Sequence, residues 1–201
     1  MNYRYGVIKM GEMKSALERA LERAEQLGTL SPEEMRKRKE EEHILIGEGM
    51  AKRYLEHGFS GVLAEGMSKY DVEEKSVVAR SALSVLLQSI ELEDTELSER
   101  AIRGILNLRS DERIESICQA IEGVLQEYHQ AKQRCHQENR ATIEKSVRES
   151  LHRLRISGSA VGQINAGTGE EWRRMVAELQ SRFGDYLGKL KTSLAETLDE
   201  T

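Results

Sequence analysis

Two Glu-x-x-His pairs are the sequence features with the most recognisable chemistry: Glu40 with His43, and Glu149 with His152. At i, i+3 both members of a pair share one face of a helix. In ferritin-like di-iron bundles two helices each supply such a pair and two further Glu complete the site. These four residues are therefore the candidate metal ligands. The composition weakens the pattern. Thirty of the 201 residues are Glu, so roughly one in seven positions three before a His is Glu by chance. Glu40 also sits inside the charged run Arg36–Glu42, and Arg148 and Arg153 crowd the second pair, whereas a di-iron site needs a dry interior.

Other constellations are thinner. His129 and His136 are seven apart with Cys135 beside the second, but neither a close His pair nor a Cys-x-x-Cys accompanies them, as a zinc site requires. The stretch Gly158–Gly169 precedes a helix, and helix N-termini attract anions, which makes Gly167–Gly169 a weak anion or nucleotide candidate. It matches no phosphate-loop pattern, and Glu170-Glu171 follow where Lys-Ser would be needed. No nucleophile elbow or activated-cysteine context occurs. Arg148, His152, Arg153 and Arg155 form a basic patch with no interleaved aromatic residue to stack bases; cations near a helix C-terminus explain it. No catalytic residue and no cofactor is expected.

The elements that must position these residues are helical. The single proline, Pro32, leaves long helices unbroken. Charged residues are 32% of the chain and the net charge is −5, which argues against a general nucleic-acid partner. No window approaches the ~20 apolar residues of a membrane helix, and the N-terminus lacks a secretory h-region. Cys118 and Cys135 would lie about 25 Å apart on one helix, beyond disulfide reach. A reduced, cytoplasmic protein without membrane insertion follows as the expectation.

Residues 3–8 alternate weakly and read as a short strand or an extended N-terminal arm. Met10, Met13, Leu17, Ala20, Ala24 and Leu27 form a narrow helical seam ended by Gly28. Ser31-Pro32-Glu33-Glu34 opens the next helix with a capping box. The run Arg36–Glu42, RKRKEEE, must be solvated on every side, as a helical strut or an electrostatic docking strip. Its charge order opposes the helix dipole.

From Ile44 to Tyr70 five glycines predict a break near Gly58, and Gly47 and Gly49 could instead permit close helix approach. Asp71-Val72-Glu73-Glu74 is a second capping box. The helix behind it is apolar nearly all round and should be the centre of the core. A helix over about 95–108 follows, with Leu97, Ala101, Ile102, Ile105 and Leu106 inward.

Ile114, Ile117, Ile121, Val124, Tyr128, Ala131 and Cys135 hold a seam that resumes out of phase at Ile143, Val147, Leu151 and Leu154. A helix over 111–156 is thus either continuous or bent near residue 139. After the connector 157–169, Thr168 and Glu171 offer another capping box. The last helix carries Trp172, Val176, Leu179, Phe183, Tyr186 and Leu190 on one stripe, with Leu194 and Leu198 continuing it. Aromatic residues are scarce, one Trp, six Tyr and two Phe, so three on one stripe suggest an anchoring interface or intrachain packing.

The fold expected is all-α, an elongated multi-helix bundle with long coiled-coil-like helices. It has a helical core over 1–156, a connector over 157–169, and a C-terminal amphipathic helix over 170–201 that packs on the core or on a partner subunit. The narrow seams predict a non-enzymatic scaffold or adaptor that forms a homodimer and binds another protein.

Overall fold

The computed structural model describes residue 15 and residues 31–155 and 169–200. The expected N-terminal arm, the seam Met10–Leu27 with Gly28, and connector residues 157–168 lie outside the described residues. The chain divides into two compact units, residues 1–41 and 42–201. The described residues form an all-α multi-helix bundle of six helices.

Helix α1 is Pro32–His57. Its start is the expected capping box: the Ser31 N–H donates to Glu34 Oε2 at 2.8 Å, and the Glu34 N–H donates to Ser31 Oγ at 3.2 Å. The donated Ser31 N–H, and then the Ser31 hydroxyl, hold the Glu34 carboxyl below its ordinary range. Every residue from Ser31 to Glu42 is exposed, as a run without apolar relief requires.

In the second unit α1 ends where the glycine content predicts. Gly58 takes φ +72°, the left-handed conformation that ends helices, and its N–H donates to the Tyr54 carbonyl at 2.7 Å. Gly47 and Gly49 differ. A Cβ on Gly47 would collide with the Val78 carbonyl oxygen and lie 2.9 Å from Ser81 Cβ, whereas one on Gly49 would meet nothing within 4 Å. Only Gly47 lets α1 approach the next long helix, and the Ser81 hydroxyl donates to the Ile44 carbonyl there at 2.7 Å.

Helix α2, Gly61–Met67, is short. Helix α3, Val72–Gln88, opens with the predicted Asp71–Glu74 capping box. It buries Val78, Ala82, Leu83 and Leu86, and Ile90 just beyond it is also buried. Helix α4, Thr95–Leu108, is N-capped by Asp94 and buries Ala101, Ile102, Gly104 and Ile105. Full burial of one such aliphatic side chain stabilises by roughly 1.5–3 kcal/mol, so this cluster accounts for much of the core.

Helix α5 is continuous over 42 residues, Glu112–Arg153, about 63 Å at 1.5 Å per residue. No break falls near residue 139. Its first half buries Ile114, Cys118, Ile121, Leu125 and Tyr128, while Ile117, Val124 and Ala131 flank that line, partly buried. The out-of-phase continuation is buried at Ile143 and Val147, but Leu154 is 69% exposed past the helix end.

Helix α6 is Glu170–Asp199. Its N-cap is Gly169, with no side-chain cap bond, and Thr168 lies outside the described residues. Three contacts show that α5 and α6 run antiparallel. Arg113 pairs with Glu200 at 3.3 Å, the Tyr128 and Phe183 ring centroids are 5.7 Å apart, and those of His136 and Trp172 are 5.1 Å apart.

A recurrent device joins the helices of this unit. Arg100 of α4 donates to the carbonyls of Leu55 and Glu56 at the end of α1. Lys191 of α6 donates to the carbonyl of Gln88, the last residue of α3, at 3.3 Å and to that of Ile90 just beyond it at 2.9 Å. Arg109 donates to the Leu198 carbonyl in the last turn of α6 at 2.5 Å. Each places a cation where a helix leaves carbonyls unpaired and its dipole is negative. Burial, against the opposing charge of Glu91, lowers the pKa of Lys191.

Candidate functional site

The residues singled out for metal binding do not converge. Glu40 is exposed on α1. His43 packs edge-on against the Tyr70 ring, centroids 5.7 Å apart, with Nε2 3.7 Å from Glu74 Oε1. Glu149 lies 3.9 Å from Lys145 on the exposed side of α5, and His152 is exposed in its last turn. Among the described residues no group of three or more His, Cys, Asp or Glu is placed to hold a metal ion.

His129 and His136 line an open groove of about 290 Å³ with Lys132, Gln133, Gln137 and Trp172. They do not act as a pair: His129 Nε2 hydrogen-bonds Thr95 Oγ1, and His136 packs against Trp172. Cys135 receives the Asn139 amide at its carbonyl, 3.0 Å, and at Sγ, 3.8 Å. Burial first, and then the charges of Glu122 and Glu115, push the Cys118 thiol up to about 11. Cys118 is therefore a packed neutral thiol, since the thiolate is the reactive form.

The aromatic stripe of α6 is used largely within the chain. Phe183 is buried in the core, and Leu179 and Leu190 are packed against it. Val176 is half-buried. Trp172 meets His136. Tyr186 departs from the stripe: it is 60% exposed, and Leu187 is buried instead. The inward line is Phe183, Leu187, Leu190, Leu194 and Leu198, with steps of four after 183, 190 and 194. That spacing follows the 3.6 period of a straight helix rather than the 3.5 period of a strict heptad.

One convergent cluster was not read from the sequence. Tyr128 on α5 lies in the apolar seam, and a buried phenol needs a partner for its hydroxyl. That partner is Glu93, in the segment between α3 and α4. Glu93 Oε1 accepts from Tyr128 Oη and, at 2.7 Å, from Gln180 Nε2 on α6, while Oε2 accepts from Lys132 Nζ at 2.5 Å. Ser98 anchors the same segment, accepting from the Glu91 N–H and donating to the Glu91 carbonyl, both at 2.8 Å.

Burial alone would raise the Glu93 carboxyl, but hydrogen bonds from Lys132, Tyr128 and Gln180, with the Lys132 charge, hold it below the usual carboxylate range. Burial, and then the bond to Glu93 and its charge, push the Tyr128 phenol up. Both groups keep their protonation state at neutral pH, so the cluster is a polar clamp joining α5, α6 and the 89–94 segment. No buried side-chain polar atom among the described residues lacks a partner.

The class these features define is an all-α helical bundle whose polar side chains bridge between helices. Residues 64–196, about two thirds of the chain, match the model of a family of unknown function (DUF6657), and the chain belongs to that family. No curated protein and no solved structure gives a significant match. Among the described residues no helix is long and apolar enough to cross a membrane.

Proposed function

We propose that this protein is a non-enzymatic helical scaffold or adaptor of the cytoplasm that self-associates and binds another protein. One observation carries the reading. The convergent polar groups act as clamps between helices, while large apolar side chains stand in the open: Met35, Leu45, Phe59, Val72, Leu154 and Tyr186 are each about half exposed or more. Met35 and Leu45 stand on one side of α1, both exposed, and a narrow apolar stripe of that kind suits one facing helix.

Sedimentation equilibrium of the intact chain tests self-association. A mass above 22.8 kDa that rises with concentration is expected, and a monomer at every concentration removes that half. Capture of one stoichiometric protein partner from native lysate is expected for the adaptor half. Stoichiometric iron, manganese or zinc in protein purified without chelator would overturn the reading in favour of the metal bundle.

A further inference from the structure

The outward face of α1 is self-complementary. Ser31, Met35, Arg38, Glu42, Leu45 and Gly49 recur at 4,3,4,3,4 spacing, the rhythm of a helix-pairing seam. All six are exposed, Met35 by 49% and Leu45 by 67%. The opposite face, Gly47, Met50, Ala51, Tyr54 and Leu55, is the buried one. Read in either direction the seam has the same plan: small, apolar, charged, charged, apolar, small. Only the charge signs change, and they change to the complement.

We propose that this face docks on the same face of a second copy, the two α1 helices running antiparallel about Glu40. This rests on the self-association reading above and names its surface. Rotating one helix by a half turn about residue 40 sets Met35 against Leu45 of the copy and Arg38 against its Glu42. Lys39 comes level with Glu41 of the copy. By symmetry each of these contacts occurs twice. Ser31 meets Gly49, and among the described residues nothing lies within 4 Å of a Cβ placed on Gly49, so the helices can approach closely there.

The charge order that opposes the helix dipole within one chain becomes attractive between two antiparallel chains. Among the described residues none of the seven charges from Arg36 to Glu42 makes an ion pair. They are free for a partner, and this helix reversed sets Arg38 against Glu42 and Lys39 against Glu41, four opposite-sign pairs by symmetry against the single like pair of Glu40 with its counterpart. A parallel copy would set like charges against each other along the whole run.

Analytical ultracentrifugation of the full-length protein and two charge-reversed variants tests this. The wild type is expected to dimerise, with a dissociation constant that rises roughly tenfold or more between about 20 mM and about 500 mM salt, as exposed ion pairs are screened. Arg38→Glu with Lys39→Glu gives an all-negative seam, and Glu41→Lys with Glu42→Lys an all-positive one. Each alone should be monomeric with unchanged helical circular dichroism, and an equimolar mixture should form a heterodimer. The swap Arg38→Glu with Glu42→Arg should restore the homodimer.

A wild type that stays monomeric overturns this proposal together with self-association. Variants that dimerise as tightly as the wild type leave self-association standing and overturn the α1 surface alone. So does a mixture that stays monomeric. Variants that lose a lysate partner while keeping the dimer assign the strip to that partner and likewise overturn it.

Discussion

The junction of α5 and α6 and the first three turns of α1 have similar charged content and opposite fates. At the junction Glu93 receives three donors and Lys132 closes on it at 2.5 Å. From Arg36 to Glu42 seven charges stand in water. The difference is proximity to apolar surface. Tyr128 and Phe183 are buried there, so the Tyr128 hydroxyl must find a partner, and it finds Glu93 at the edge of the core. The α1 run has no apolar residue to draw it inward, so its charges stay solvated. Charge content therefore says little about role; the neighbouring apolar surface decides whether a charge locks a fold or remains available.

That contrast can be broken most forcefully in the core. Ile121→Ala, at a fully buried position on α5, should cost roughly 2–5 kcal/mol in urea unfolding, from lost transfer energy and the cavity left behind. A loss under about 1 kcal/mol would mean that α5 is not packed as described. Gly47→Ala should cost about 1–3 kcal/mol, because the added methyl meets the Val78 backbone, which cannot step aside as a side-chain tip would. The same change at Gly49 should leave stability equal or slightly higher, since the methyl enters open space and alanine favours helix.

The clamp sharpens the comparison on a smaller scale. Glu93→Gln should cost about 1 kcal/mol, a modest value because the Glu93 side chain is 44% exposed and water competes there. Its pH signature is distinctive. The Glu93 carboxyl is depressed in the fold, so its stabilisation is complete above the ordinary carboxylate value of about 4.3 and is lost as pH falls through the folded value. Thermal melts between about pH 6 and pH 3 should show a shallower acid loss in the variant; parallel curves would exclude Glu93 as a contributor. The smallest expected effect is in the α1 strip, where Arg38→Ala or Glu42→Ala should change stability by less than about 0.5 kcal/mol. A larger change in protein dilute enough to be monomeric would show that the strip packs within its own chain.

Much of the fold was legible because its signals are local. Ser31 with Glu34 and Asp71 with Glu74 mark helix starts through bonds that span three residues. Gly58 marks an end by its own backbone conformation. The candidate site was less legible. Nothing local distinguishes Glu93 among the thirty Glu of the chain, although Tyr128 in an apolar seam is a signal that a partner has to exist. The stripe on α6 was followed by heptad counting past the point where the helix keeps its own period, which put Tyr186 in the place of Leu187.

By itself the sequence determined that the described residues are helical and where most of their helices begin and stop, because each depends on residues within a turn or two of one another. Tertiary structure alone decided that Gly47 and not Gly49 carries a helix crossing, that Glu93 reaches Tyr128 across 35 positions, and that Lys191 covers carbonyls 101 and 103 positions away. Those choices depend on which surfaces meet when whole helices pack, and no periodicity within one helix encodes its distance to another.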